Sequence, residues 1–196
     1  RLHKDGPKRI LYVLPDAFAV RNVEASGLLR RLTERGHQVI ARCGTQGVEL
    51  IKGVECGALA PYIGAPWRRR LRRWLRTLSY IARARRGERT YATKLALRDA
   101  RRERLEIALL RPLTAYVDGE RLGRWVERWL PVDRRARRLV ARDRPDVVVW
   151  HTSLYAGEGN EIVKAAHRAH IPVIAQVASW DNLVSKGGLL VRPDVV

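Results

Sequence analysis

The chain has 196 residues, 46% of them hydrophobic, and a formal net charge of +19. That is enough apolar material for one sizeable core or one domain with appendages. No apolar run reaches the roughly 18 residues that a bilayer-crossing helix needs, and Cys43 and Cys56 have neither zinc nor redox spacing.

The charge is uneven. Between Trp67 and Arg144 stand 25 Lys/Arg and 9 Asp/Glu, a net of +16, against +3 elsewhere. The ends therefore read as an ordinary α/β protein around a basic helical insert at about 67–144. The chain starts at Arg1, contains no Met and stops on an apolar run, "RPDVV". It is expected to be a piece of a longer protein.

In chain order, "RILYVLP" (Arg9–Pro15) predicts a buried strand. "DAFAVRN" predicts a loop, with Asn22 as N-cap and a helix over "VEASGLLRRLTERG" that stops at Gly36. "HQVIARC" predicts a second strand, and "GVECGAL" a shorter, edge-like third. The strand–helix–strand span matches one right-handed crossover.

The insert predicts four helices. The first, from Trp67, puts Trp67, Leu71, Trp74, Leu75, Leu78 and Ile81 on one face and Arg68, Arg69, Arg72, Arg73 and Arg76 on the other. The second runs roughly Tyr91–Leu110, the third is "ERLGRWVERWL" and the fourth "DRRARRLVARD". Alternation then resumes. "PDVVVW" is a strand with a continuous apolar run, as in parallel sheets covered on both faces. "HTSLYAGEGN" is a loop, "EIVKAAHRAH" a helix, "IPVIAQVA" a strand, "SWDNLVSKGG" a loop, and "PDVV" opens a further strand.

This alternation predicts an α/β fold, a Rossmann-like doubly wound parallel sheet. Ligands of such sheets bind beyond the carboxyl ends of the strands, where strand order reverses. Three polar segments should therefore share one edge: Asp16–Asn22, His151–Glu158 and Ser179–Gly188.

The stretches "LYVLPDAFAVRN", "SGLLRRLTERGHQV", "RPDVVVW" and above all "IPVIAQVASWDNLVSKGGLLVRPDVV" resemble the N-terminal half of bacterial GT-B glycosyltransferase-like proteins. Such proteins are related in kind to enzymes that transfer sugars or glycerol phosphate in cell-envelope synthesis. The resemblance covers nearly the whole chain and is most specific at "SWDN…SKG"; the middle helices match only in type. It implies two Rossmann-like domains: an acceptor-side domain, here, and a nucleotide-donor domain outside this chain. "PDAFAVRN" lacks the glycines of a dinucleotide-binding loop, which argues against a dehydrogenase.

On this resemblance, Asp181, Asn182 and Lys186 are the first choice for ligand contact, Lys186 on a donor phosphate and the other two on sugar hydroxyls. Equally, Ser179 and Asp181 suit turn capping, with Trp180 as a lid on the core. Gly187 and Gly188 serve backbone geometry or a phosphate's approach. Arg21 and Asn22, at the expected helix start, suit an anion, or else a cap and a solvated Arg. Asp16 or His151 would be the base that takes the acceptor proton. Glu158 lies at the same edge or simply in a helix's first turn.

Expected co-substrates are a nucleotide-activated sugar and a glycan or lipid-linked acceptor, with no obligatory metal or other cofactor. For the basic helix three readings stand: packing its Trp/Leu face on the domain, lying on an anionic membrane surface through Trp67, Arg68, Arg69, Arg72, Arg73 and Trp74, or binding nucleic acid, for which no motif is visible. A cytoplasmic protein, peripheral on the inner membrane face, would fit. Glycerophosphate transfer on the same scaffold and a non-enzymatic binding module remain as rivals.

Overall fold

A computed structural model describes residues 6–44, 54–59, 65–98, 104–152, 157–177, 191 and 193–195. The chain divides into two compact units, one on a parallel sheet and one on the helices of Ala65–Pro131.

Five strands, β1 (Arg9–Leu14), β2 (Gln38–Cys43), β3 (Glu55–Ala58), β4 (Val147–Thr152) and β5 (Val173–Val177), form one all-parallel sheet in the order β3-β2-β1-β4-β5. The order reverses between β1 and β4, as expected of a doubly wound sheet. Val195 bridges Ile174 in parallel beyond β5, so "PDVV" does begin to pair as a further strand.

β1 is followed by α1 (Ala17–Ala25) and α2 (Leu28–Glu34). Where one helix was expected there are two. Gly27 takes φ 63, the left-handed region that glycine enters without penalty, and the chain turns there. Successive strand side chains alternate between faces. Ile10, Tyr12 and Leu14 of β1 with Val39, Ala41 and Cys43 of β2 therefore point to one face, where Val20, Val23 and Leu29 of α1 and α2 cover them.

The opposite face carries Arg42 and Trp150. There α7 (Arg134–Asp143) lies beside α8 (Gly157–Arg168), and Arg42 meets Asp143 in a buried two-pronged ion pair, Nε–Oδ2 2.8 Å and Nη2–Oδ1 2.7 Å. This pair ties α7 to the sheet unit. The helical unit closes at Pro131, short of the expected 144.

The second unit contains α3 (Pro66–Arg85), α4 (Arg89–Arg98), α5 (Arg104–Leu110), a 3-10 turn (Pro112–Ala115) and α6 (Gly119–Trp129). The expected Tyr91–Leu110 helix appears as α4 and α5; residues 99–103 lie outside the described residues. α6 approaches α3 closely at Gly119, where an added Cβ would sit 2.5 Å from Ser79 N.

Leu75, Leu78 and Ile81 of α3 are buried and Arg69 and Arg73 exposed, as expected, but the first half of the helix departs from the expected faces. Arg68 and Arg72 are buried, whereas Trp67 and Trp74 are about half exposed. Arg72 forms a buried pair with Glu127 of α6, Nη2–Oε2 2.9 Å with a second contact from Nε to Oε1, and Arg68 Nη1 donates to the Pro131 carbonyl at 2.7 Å. Hydropathy alone puts every guanidinium in water. Here a facing carboxylate and a carbonyl satisfy two of them inside.

Candidate functional site

β1 and β4 run in the same direction, so the carboxyl ends of both meet at one edge of the sheet, on either side of the switch point. Pro15 ends β1, and Asp16 follows in extended conformation (φ −147, ψ 170). Its Oδ1 accepts from Ala19 N at 2.8 Å, so Asp16, rather than Asn22, is the N-cap of α1. The helix begins six residues earlier than expected.

That shift changes two assignments. Arg21 and Asn22 lie within α1, not at its start, and the Asn22 carbonyl accepts from Ser26 N. Their amides belong to a helix interior and are unavailable to an anion. Arg21 is exposed, its guanidinium 5.8 Å from the Phe18 ring centre. The helix N-terminus that faces the edge is instead the turn after Asp16.

His151 was expected just past a strand end. It lies inside β4, paired in register with Gln176 of β5. By alternation it shares the α1 face with Val147 and Val149, hence with Tyr12. His151 is 2% exposed, and among the described residues its Nδ1 has no hydrogen-bond partner. Burial pushes its pKa below the ordinary 6.5, and the negative charge of Asp16 opposes that shift in part. The imidazole is therefore neutral at neutral pH, with a carboxylate near enough to stabilise its protonated form.

Tyr12 and Gln176 complete the cluster, the Tyr12 hydroxyl donating to Gln176 Oε1. Burial raises the Tyr12 pKa, so the phenol keeps its proton. Sequence reading singled out neither residue. Tyr12 looked like core in an apolar run, and only pairing of β5 next to β4 brings Gln176 to His151.

On the other face, Trp150 runs beneath the first turn of α8. A Cβ on Gly159 would stand 2.1 Å from its Nε1, so only glycine leaves room. Glu158 is the second residue of α8, in the first-turn position. Glu161 of α8 is fully buried and accepts from Asp133 N at 3.1 Å, joining α8 to the start of α7. Its polar character within the otherwise apolar start of "EIVKAAHRAH" is the sequence signal that marks it.

Ser179, Asp181, Asn182, Lys186, Gly187 and Gly188 lie outside the described residues. β5, which leads into them, ends at the same edge as β1 and β4. Of the surface candidates on α3, Trp67, Arg69, Arg73 and Trp74 are exposed, and Arg73 pairs with Glu106 at 3.3 Å. Arg68 and Arg72 belong to the interior and offer nothing to a surface partner.

Among the described residues no group of His, Cys, Asp and Glu has the arrangement of a metal site, and no helix is long and apolar enough to cross a membrane. No family model, curated protein or solved structure matches this chain. Its function must therefore be argued from the site. Within the sheet unit that site is a neutral buried imidazole, a capping carboxylate and a helix N-terminus at the switch point.

Proposed function

We propose that the sheet unit is the acceptor-side domain of a GT-B-type transferase, which moves a sugar from a nucleotide-activated donor to an envelope polymer or lipid-linked acceptor. The observation that carries the reading is the juxtaposition of His151 and Asp16 beside the β1/β4 switch point. Such an edge is where doubly wound sheets take ligands.

In this reading the acceptor hydroxyl docks at the carboxyl edge beside Asp16, and His151, closed in at 2% exposure, is reached as that edge opens. As the acceptor oxygen bonds to the anomeric carbon, the bond to the diphosphate breaks and the hydroxyl proton passes to the imidazole. Asp16 stabilises the imidazolium that forms, and the start of α1 adds a positive dipole end. The leaving diphosphate departs on the nucleotide, held by a donor domain outside this chain and by positive side chains, with no obligatory metal.

The exposed aromatic residues of the helical unit favour a location as well. Trp67, Trp74, Trp125 and Trp129 are 43–70% exposed among arginines. Trp and Arg together suit the interface of an anionic membrane, where each basic residue contributes about 1 kcal/mol. The reading is thus a peripheral enzyme on a cytoplasmic membrane face. Replacing Trp67 and Trp74 by Ala should release the protein from phosphatidylglycerol vesicles in a flotation assay; unchanged flotation would remove the membrane from the account.

Donor screening with the natural full-length protein tests the reaction. The reading predicts consumption of a nucleotide sugar. Consumption of CDP-glycerol alone would move the assignment to glycerophosphate transfer. Turnover of neither, with acceptors present, would leave a binding module.

A further inference from the structure

The helical unit holds a cavity of about 600 Å³ between α3, α4 and α5. This lies within the roughly 300–1,000 Å³ of small-molecule sites. Its described lining has two kinds of side chain. Ile81, Leu95 and Ile107, with four alanines, supply hydrocarbon; Arg85, Arg104 and Arg111 supply guanidinium groups. Among the described residues no carboxylate, hydroxyl or amide side chain lines it.

The small alanines create the space, and the exposure of Ala92, Ala96 and Ala108 shows that it opens to the surface. Around it the same helices expose Leu97, Leu105 and Leu109 at 57%, 80% and 74%.

We propose that this cavity binds an anionic amphiphile, its single hydrocarbon chain against Ile81, Leu95 and Ile107 and its phosphate on Arg85 and Arg111. A neutral apolar ligand would make no use of the exposed guanidinium groups of Arg85 and Arg111. A small anion alone would leave the aliphatic wall wet. One molecule with both parts satisfies both kinds of lining. Arginine is suited to the headgroup because its planar fork matches a phosphate with two parallel hydrogen bonds. The proposal does not rest on the transferase reading, since it uses no residue of the sheet unit.

The test is calorimetric titration of the full chain with dodecyl phosphate below its micelle concentration. Inorganic phosphate, dodecyl maltoside and phosphatidylglycerol vesicles are the comparison probes. Saturable one-to-one binding of dodecyl phosphate is expected, tighter than either small-molecule comparison by at least about tenfold. Ala96→Leu fills the cavity from an exposed position, and R85Q with R111Q removes charge without touching the core. Each should weaken binding at least about tenfold with the melting temperature unchanged. The proposal is overturned by no saturable binding, by equal affinity for inorganic phosphate, or by variants that bind like the parent. Vesicle binding that survives Ala96→Leu, without binding of monomeric dodecyl phosphate, would also overturn it, because the contact would then be a bilayer surface alone.

Discussion

At the scale of single residues, the sharpest consequences come from buried polar groups and close contacts. His151 is held neutral below its ordinary pKa of 6.5 by burial. Between the lowered folded value and 6.5 the unfolded chain binds more protons than the folded one. Stability from this residue is therefore complete above about pH 6.5 and is lost as pH falls through the folded value. Urea unfolding from pH 7.5 to 5 should show that slope, and His151→Gln should flatten it; an equal slope in both proteins would remove His151 as its source. Gly159→Ala would push a methyl into the Trp150 indole and should cost about 1–3 kcal/mol in the same assay. Truncating Glu127 to Ala would leave the Arg72 guanidinium buried without its carboxylate, a loss of about 3–5 kcal/mol. The double change R72M with E127L should recover much of it. Failure of the double variant to regain stability would show that the site needs the charges for more than each other.

At the scale of elements, the strands were legible because continuous apolar runs such as "PDVVVW" have few other homes. Helix ends and phases were less so. The start of α1 was missed because "DAFAV" has no charged stripe to mark a helix, and Asn22 was a plausible cap lying further along. The structure chooses Asp16, so Asp16→Ala should lower stability by about 1 kcal/mol in thermal melts, with Asn22→Ala nearly silent. The first two turns of α3 depart from the hydropathy stripe for a different reason. A hydropathy stripe cannot anticipate that Glu127, some fifty positions later, will face Arg72. A surface test must therefore neutralise Arg69 and Arg73. Replacing Arg68 or Arg72 would report on folding.

At the scale of the molecule, strand–helix alternation announced the parallel sheet, and the insert's charge announced a separate helical unit. What alternation could not supply was the order β3-β2-β1-β4-β5, which seats Gln176 beside His151 and brings Tyr12 into the same cluster. The Arg42–Asp143 pair that fastens α7 to the sheet also has a pH signature. Burial opposes ionisation of Asp143, but hydrogen bonds from Arg42 and Arg142 prevail and hold its pKa below the ordinary carboxylate value. Its contribution is present above about pH 4 and fades as pH falls through the lowered folded value. The central claim is that the imidazole at the switch point takes the acceptor's proton. It is tested most directly by nucleoside diphosphate release from the natural full-length protein, compared with its His151→Gln variant at saturating donor and acceptor. A kcat lower by about 10²–10⁴-fold is expected, with the melting temperature held. A variant that turns over within about twofold of the parent would contradict it.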